Sequence, residues 1–315
     1  MRDQFGRQVA YLRLSVTDRC NFACTYCSIR EDGDDYIQPA EAERLFRVLA
    51  GRLGFRKVRL TGGEPLVRSD IDAFVAAAAG TEGIEVVGLT TNGSLLDVWA
   101  ERLWAAGLRH VNVSVDSLRP ELFREITRSG RLDRVLDGIR AASAVGMTVK
   151  VNCVLLEGVN DAEIGDFADF AATEGIGVRF IEVMPTDERA RGRAVVPADA
   201  VLEQIRDRYH LEALPVRANG GPAERYALAG TEGRVGLIHA MSEPFCDRCN
   251  RLRVTSKGRL RSCLLTGGEL DLLSRMRAGC SDDDIVSIFS RGADDKPATY
   301  EVHAAGLMPM RQLGG

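Results

Sequence analysis

Two groups of three cysteines are the residues in this 315-residue chain whose type and spacing could do chemistry. The first group has the spacing C-x3-C-x2-C and the second has C-x2-C-x13-C; they consist of Cys20, Cys24 and Cys27, and of Cys246, Cys249 and Cys263. Three thiolates can hold an iron–sulfur cluster and leave one iron open to a substrate or cofactor, whereas clusters used only for electron transfer normally have four cysteines. The first group therefore indicates an enzyme.

Zinc is the alternative metal for both groups. A structural zinc site needs four Cys or His ligands, and no histidine precedes His110, so the first group would need a remote fourth ligand. The second group could use His239, seven residues before Cys246, and C-x2-C followed by distant ligands is a common zinc arrangement. The spacing alone leaves zinc open, above all for the second group.

Composition predicts a folded cytoplasmic protein. Apolar residues make up 45% of the chain, and the longest uncharged apolar stretch, Ala73–Gly80, is too short to cross a bilayer. No secretory leader is recognisable, and six of the eight cysteines cluster like metal ligands, which favours a reducing compartment over disulfides. Cys153 and Cys280 stand apart from both groups, and we expect them to be structural.

The net charge of −4 argues against general nucleic-acid binding, and we expect neither nucleic acid nor membrane as a partner. An anionic ligand would therefore need a local basic pocket.

Short β-branched runs alternate with helical patterns through the first two thirds of the chain. The predicted strands are Tyr11–Thr17, Lys57–Thr61, Glu85–Thr91, His110–Asp116, Thr148–Leu155 and Val178–Met184. The predicted helices are Pro39–Leu53, Ser69–Ala79, Ser94–Ala106, Leu132–Val145, Asp161–Glu174 and Pro197–Tyr209. Because each connection can form a right-handed crossover, the pattern predicts an α/β fold with six parallel strands. Spacing does not separate an open sheet from a partial barrel.

Local signals refine these boundaries. Ser69–Asp72 has the pattern of a capping box, and Gly107 and Gly146 fall where helices should end. From about Leu214 the strands become shorter and the turns richer in Gly and Pro. We therefore predict two domains, residues 1–213 and residues 214–315.

Polar motifs follow the first four predicted strands directly. They are Cys20–Cys27, Gly62–Pro65, Thr90–Asn92 and Asp116–Ser117. Because the carboxyl ends of parallel strands meet at one edge of a sheet, all four motifs should face one mouth.

The first cysteine group lies in a recognisable segment. Leu12–Cys27, which reads LRLSVTDRCNFACTYC, resembles the signature loop of radical S-adenosylmethionine (SAM) enzymes, and Gly62–Pro65 resembles the motif that holds the methionyl amino group in that family. The resemblance implies a partial (βα)6 TIM-like barrel and a [4Fe–4S] cluster whose open iron binds SAM. The SAM contacts that it implies are Tyr26, Gly62, Gly63, Glu64, Ser114 and Met184.

The second cysteine group narrows the resemblance. Phe245–Leu264, which reads FCDRCNRLRVTSKGRLRSCL, is similar to the C-terminal motif of the GTP 3′,8-cyclase family, and the terminal Gly314 and Gly315 match as well. The resemblance implies a smaller C-terminal α+β domain, in which a second [4Fe–4S] cluster binds the guanine of GTP. The GTP contacts that it implies are Arg13, Arg59, Thr90, Lys150, Arg179, Arg251 and Arg253, and the catalytic residues are Arg251, Arg253, Gly314 and Gly315.

The same resemblance implies a reaction. A 5′-deoxyadenosyl radical from SAM starts the cyclisation of GTP to (8S)-3′,8-cyclo-7,8-dihydroguanosine 5′-triphosphate, the first step of molybdenum cofactor biosynthesis. It also implies a low-potential electron donor, cyclic pyranopterin monophosphate synthase as the downstream pathway partner, and a monomer or homodimer.

Two arginines in this segment suit an anionic nucleotide. Arg251 and Arg253 alternate along a strand-like run, so both side chains should project from one face. Guanidinium groups are permanently charged and bind phosphate oxygens in pairs. Because the chain has no G-x4-G-K-[ST] motif, a bound nucleotide would be a substrate rather than a source of energy.

The chain departs from the family pattern at two places. Residues 28–33 differ from the Met-Pro pair usual in the family, and Met310–Leu313 differ from its usual ending, so closure of the loop and docking of the tail are in question.

Two rival functions fit the sequence. One rival is a radical SAM maturase of peptides or proteins with an auxiliary cluster. The other is a zinc-stabilised binding module.

Overall fold

The computed structural model describes residues 1–27, 35–186, 189–215, 221–266 and 268–300. The predictions for residues 28–33, for Met310–Leu313 and for Gly314 and Gly315 therefore lie outside the described residues. Across the described part of the chain, no helix is long and apolar enough to cross a membrane.

Six parallel strands form the centre of one sheet. They are β1 (Tyr11–Ser15), β2 (Lys57–Thr61), β3 (Val86–Thr91), β4 (His110–Ser114), β5 (Thr148–Leu155) and β6 (Gly177–Glu182). Each strand pairs in parallel with the next one in the sequence, as predicted. The pairing confirms the predicted α/β fold and directs the carboxyl ends of all six strands to the same side.

Helices connect these strands. They are α1 (Pro39–Leu53), α2 (Ile71–Gly80), α3 (Leu96–Ala105), α4 (Pro120–Thr127), α5 (Leu132–Ala144), α6 (Ile164–Glu174) and α7 (Ala198–Arg206); α8 (Leu273–Arg277) and α9 (Asp282–Asp294) follow near the carboxyl end. The sequence analysis missed α4, which has only two turns. Pro120, at its first position, has the backbone angle that a helix start needs and no amide hydrogen to leave unbonded.

The observed helix ends test the predicted capping box and the predicted terminal glycines. The predicted capping box at Ser69–Asp72 is wrong: α2 begins after Asp70 without a side-chain cap. The Asp70 carboxylate is instead held by the Arg68 guanidinium, with a Nη2–Oδ2 distance of 2.6 Å, and so does not reach the helix amides. Gly107 and Gly146 do follow the ends of α3 and α5, with φ of 104° and 93°, as a helix-terminating glycine should.

The second half of the sheet comes from the C-terminal part of the chain. It contains β7 (Leu211–Ala213), β8 (Glu224–Leu228), β9 (Arg234–Ile238), β10 (Arg251–Val254), β11 (Arg259–Arg261) and β12 (Leu270–Asp271). Strand β9 joins β6 and β10 joins β1, both in parallel, so these strands extend the two edges of the central sheet. The connection between β9 and β10 therefore runs from one edge to the other and carries Cys246 and Cys249.

Candidate active site

One cavity of about 590 Å³ collects the chemistry that the sequence predicted. Side chains from β1 to β6 line it, together with side chains from β8, β9 and β10. All six cysteines of the two groups face this cavity. The structure therefore combines the two groups, separated by more than two hundred residues in sequence, in one site.

Nearly every predicted site residue lies here. The cavity lining includes Arg13, Cys20, Cys24, Tyr26, Cys27, Arg59, Gly62, Gly63, Thr90, Ser114, Lys150, Arg179, Met184, Cys246, Cys249, Arg251, Arg253 and Cys263. Glu64 is the exception among the described residues, and Gly314 and Gly315 lie outside them. Cys153 is buried in β5 on the other face of the sheet, as expected of a structural thiol.

The end of α4 supports the first cysteine loop. The backbone amides of Ala23 and Thr25 donate to the carbonyl oxygens of Thr127 and Ile126, at 3.0 and 2.9 Å. The ring of Phe22 packs edge-on against Phe123 of α4, with 6.1 Å between the ring centres. The helix that the sequence analysis missed is thus the one that positions Cys20, Cys24 and Cys27.

Gly62 and Gly63 allow a close approach of two backbones. A Cβ atom on Gly63 would lie 2.2 Å from the carbonyl oxygen of Arg19, and one on Gly62 would lie 2.4 Å from that of Thr17. The Gly63 amide donates to the Thr17 oxygen at 2.8 Å. We expected this glycine pair to admit a ligand; the structure shows that it also admits the backbone of the cysteine loop.

Glu64 holds the next strand end. One carboxylate oxygen accepts hydrogen bonds from Thr91 Oγ1 at 2.6 Å and from the Leu66 amide at 2.9 Å, and the other accepts from the Asn92 amide at 2.6 Å. The Glu64 side chain is fully buried, and burial raises its pKa to about 7 against the opposing effect of these donors. Glu64 therefore fixes the loops after β2 and β3 rather than facing the cavity.

Tyr26 is fixed by a buried carboxylate. Its hydroxyl donates to Oδ2 of Asp116 at 2.5 Å, and Oδ1 of Asp116 accepts from the Val154 amide at 2.8 Å. Burial raises the pKa of Asp116 to about 6 despite both hydrogen bonds, and it raises the pKa of Tyr26 well above the ordinary range. The aromatic ring beside Cys27 is thereby held as a neutral phenol on the cavity wall.

The cavity is strongly basic although the chain as a whole is acidic. Its cations are Arg13, Lys57, Arg59, Lys150, Arg179, Arg225, Arg251 and Arg253. Glu182 is the only carboxylate among the described lining residues, and it already accepts hydrogen bonds from the amides of Met241 and Ser242 at 2.6 and 2.9 Å. This is the local basic pocket that an anionic ligand requires.

Burial and crowding act together on these cations. They lower the pKa of Arg179 and of Arg253 to about 10, with burial as the largest cause and neighbouring guanidinium groups as the next. Grouping buried cations is costly unless an anion compensates them. The site is therefore suited to a ligand with several negative charges.

Tyr11 lies at the centre of this cluster. Its hydroxyl oxygen accepts from Arg59 Nε at 2.9 Å, and Arg59 Nη1 donates to the carbonyl oxygen of Leu89 at 2.8 Å. Burial by itself would raise the pKa of Tyr11, but nearby cations outweigh it and lower the pKa to about 6; in order of effect they are Arg59, Arg13, Lys57 and Arg251. Gly88 on β3 leaves room for the Arg59 guanidinium, which a Cβ atom there would approach to 2.8 Å.

The sequence analysis missed several lining residues, namely Tyr11, Lys57, Asn112, Asn152 and Arg225. The alternation of side chains along the strands could have identified two of these residues. Lys57 stands two residues before Arg59, and Tyr11 stands two residues before Arg13, so each pair projects from one face of its strand.

Several buried polar atoms in the wall still lack a protein partner. Thr90 Oγ1, Asn152 Oδ1 and Arg251 Nε have no hydrogen-bond partner in the described part of the chain. Buried polar atoms are nearly always hydrogen-bonded in folded proteins. These donors and acceptors, like the basic lining, fit a bound polar ligand.

Within the second cysteine group, Cys249 has the charge environment that a thiolate ligand needs, whereas burial raises the pKa of Cys246. Burial raises the pKa of the Cys249 thiol, but the positive charges of Lys296 and Arg251 outweigh it, so that the pKa lies below its ordinary value. Lys296 Nζ lies 3.5 Å from Cys249 Sγ. Iron–sulfur clusters bind through thiolates, so this donor set fits a cluster.

The zinc interpretation of the second group loses its proposed fourth ligand. His239 does not line the cavity; its ring lies between the carboxylates of Glu182 and Glu224, at nitrogen–oxygen distances of 4.0 and 3.5 Å. Within the described ranges, no group of three or more His, Cys, Asp or Glu residues is placed to hold a single metal ion.

Comparisons with known proteins agree with this geometry. The model of the radical SAM superfamily matches residues 14–171, and the model described as Molybdenum Cofactor Synthesis C matches residues 176–302. The chain is 44% identical over 324 residues to the GTP 3′,8-cyclase of Moorella thermoacetica and 45% identical over 330 residues to that of Heliobacterium modesticaldum, covering 100% of both chains in each case. The chain belongs to the GTP 3′,8-cyclase family. The predicted membership in this family of radical SAM enzymes is thus confirmed.

The fold also resembles solved structures that are much less similar in sequence. Streptococcus suis SuiB bound to S-adenosylmethionine superimposes with a TM-score of 0.66 at 17% identity, covering 91% of this chain and 68% of that one. At this identity the similarity concerns the fold alone. It extends beyond the central sheet into the C-terminal part of the chain.

Proposed function

We propose that this chain uses SAM to cyclise GTP to (8S)-3′,8-cyclo-7,8-dihydroguanosine 5′-triphosphate, the first step of molybdenum cofactor biosynthesis. The observation that carries the proposal is the single cavity in which two cysteine triplets and eight lysine and arginine side chains meet. A radical SAM enzyme acting on a nucleoside triphosphate needs this combination: a cluster with an open iron, and cations for the phosphates.

The first cysteine group holds a [4Fe–4S] cluster, and the adjacent wall holds SAM. When bound there, the cluster and SAM would supply radical chemistry at the ribose C3′ of GTP. The residues assigned to SAM are Tyr26, Gly62, Gly63, Ser114 and Met184, all of which line the cavity. Glu64 acts on SAM indirectly in this scheme, because its carboxylate is taken up by the loops after β2 and β3.

The second cysteine group holds another [4Fe–4S] cluster, with an open iron for the guanine base. Cys246, Cys249 and Cys263 form no disulfide, and cations lie beside Cys249; both observations support this assignment. The triphosphate lies against the basic wall, where arginine forks and lysine ammonium groups bind its oxygens. The assigned GTP residues are Arg13, Lys57, Arg59, Thr90, Lys150, Arg179, Arg251 and Arg253.

The remaining contribution of the protein is positioning. Holding ribose C3′ and guanine C8 near each other and excluding water directs the cyclisation, because the cofactor supplies the difficult step. We assign this catalytic positioning to Arg251 and Arg253, which lie between Cys249 and Cys263 and line the cavity. The tail residues Gly314 and Gly315 complete the site in this scheme.

Coarser features fit the same function. We take the sheet to be a partial barrel, since side chains from nine of its strands line one cavity. The division at residues 213 and 214 separates the radical SAM part from the part with the second cluster. The chain works in the cytoplasm as a monomer or homodimer with a low-potential electron donor and passes its product to cyclic pyranopterin monophosphate synthase.

An anaerobic assay with reductant, SAM and GTP tests the proposal. We expect 5′-deoxyadenosine and a cyclised nucleotide to form in equal amounts, with about eight irons per chain, four for each cluster. A variant with C246A, C249A and C263A should retain half the iron and lose the cyclised product. Turnover of peptides with GTP inert would favour the maturase, and zinc without iron would favour the binding module.

A further inference from the structure

A buried lysine near the carboxyl end of the described chain contacts the second cysteine group without lining the cavity. Lys296 follows α9, and only 3% of its surface is exposed. Burying an ammonium group is costly unless its hydrogens and its charge are both matched. A lysine retained in such a place needs a partner of opposite charge.

All three hydrogens of this ammonium have acceptors around the second cysteine group. Lys296 Nζ lies 2.9 Å from the carbonyl oxygen of Arg251, 3.1 Å from that of Ser262 and 3.5 Å from Cys249 Sγ. These acceptors belong to the loop before β10, to β10 itself and to the segment after β11 that leads to Cys263. A single side chain therefore joins the backbone segments that carry the second group.

Among the described residues, no carboxylate matches the charge of Lys296. In the described part of the chain its ammonium forms no ion pair with Asp or Glu, and the sulfur of Cys249 is its only acceptor that can carry a negative charge. A cluster bound by three thiolates would provide the missing negative charge, because the hydrogen bonds and charges around the sulfurs are part of such a site.

The lysine is held in place from its other side. Arg7 Nη1 donates to the carbonyl oxygens of Cys246 and Pro297 at 2.6 and 2.9 Å, and an ion pair with Asp3 at 2.5 Å orients Arg7. The N-terminal segment thus joins the backbone at Cys246 to the backbone beside Lys296. The placement of the ammonium against Cys249 is therefore a built feature.

The geometry points to Lys296 as a positioning residue of the second cysteine group: it aligns the Cys249 and Cys263 segments and balances the negative charge of the cluster they bind. This inference rests on the proposed function, since it assumes that the second group holds a cluster. Lys296 does not line the cavity, so it acts through the cysteines and not on GTP. Its charge should make reduction of the second cluster easier than it would be beside a neutral side chain.

The test uses full-length chain with C20A, C24A and C27A, so that only the second group can hold iron. We would compare this parent with K296M, which keeps the buried stem but removes the charge. K257M is the control, because Lys257 lies in the same part of the chain but over the ring of Tyr36, at 4.3 Å. Iron per chain and the midpoint potential would be measured without oxygen.

We expect the parent and K257M to have equal iron content and equal midpoint potentials. K296M should hold less than half as much iron, or hold it with a lower midpoint potential, because the reduced cluster loses a neighbouring positive charge. Iron content and potential equal to the parent would overturn the inference and leave the proposed cluster intact. A parent without iron would contradict the proposed cluster itself, and the inference with it.

K296R and K296Q keep the test decisive if K296M does not fold. Arginine keeps the charge, whereas glutamine keeps donor hydrogens without it. We expect the midpoint potential of K296R to stay closer to that of the parent than the potential of K296Q does. Equal potentials in the two variants would overturn the role of the charge.

Discussion

The Tyr26 hydroxyl donates a hydrogen bond to Oδ2 of Asp116 at 2.5 Å and joins the first cysteine loop to the segment after β4. Y26F should lower the free energy of unfolding by about 1–3 kcal/mol, because the buried Asp116 loses a donor. It should also weaken SAM binding, since the ring is no longer oriented. Urea unfolding and SAM titration without oxygen measure both effects. In the control Y209F, the lost partner is Asp169, whose side chain is half-exposed, so stability should change less. Equal losses in the two variants would contradict the prediction.

A methyl group at Gly63 should disrupt the first cluster site selectively. In G63A the new Cβ would lie 2.2 Å from the Arg19 oxygen, so the cysteine loop must move. We expect iron to be lost from the first group and retained by the second, as followed by iron analysis and by 5′-deoxyadenosine formation. Gly51 is the matched control, because nothing lies within 4 Å of a Cβ there and alanine favours a helix. A G63A protein with full iron would show that the loop tolerates the shift.

Glu64 should make stability depend on pH. Its pKa of about 7 lies above the value of 4.5 for a free glutamate, so the folded chain binds this proton more tightly than the unfolded chain does. The resulting stabilisation is fully present below about pH 4.5 and is lost as the pH rises through 7. From pH 5 to pH 8 the free energy of unfolding should fall by about 2–3 kcal/mol more in the wild type than in E64Q. Parallel curves in urea unfolding would rule this out.

Lys57 should bind the phosphates, although the sequence analysis passed it over. It lines the basic cavity beside Tyr11, whose ring centre lies 4.7 Å from the lysine nitrogen. K57M should weaken GTP binding roughly tenfold or more, the effect of losing a hydrogen bond to a charged group, and leave guanosine binding unchanged. Calorimetry with GTP, GDP and guanosine separates these contributions. K257M, at a lysine outside the cavity, should bind all three like the wild type; an equal loss of guanosine binding in K57M would refute the phosphate role.

Much of the site could be predicted because its chemistry is local in sequence. Each cysteine triplet lies within one short segment, and Gly62–Pro65 directly follows a strand, so residue types and spacing indicated the metal ligands. The resemblance to the radical SAM family then indicated the clusters and their ligands. The six strands followed from alternating β-branched runs, since parallel strands buried by helices leave a strong apolar signal. The acidic composition argued against general nucleic-acid binding, but it could not show where the cations gather.

The tertiary structure decided which distant residues meet. The pairing of β10 with β1 and of β9 with β6 places the second cysteine group over the same cavity as the first, and no local pattern encodes that pairing. The hydrogen bond that the Asn92 amide donates to Glu64 and the contact of Lys296 with Cys249 likewise join segments far apart in the chain. The sequence alone determined that cysteines are the candidate metal ligands and that the six central strands of the sheet follow one another in chain order. Long-range strand pairing and burial decided the shared cavity, because they depend on the packing of the whole chain.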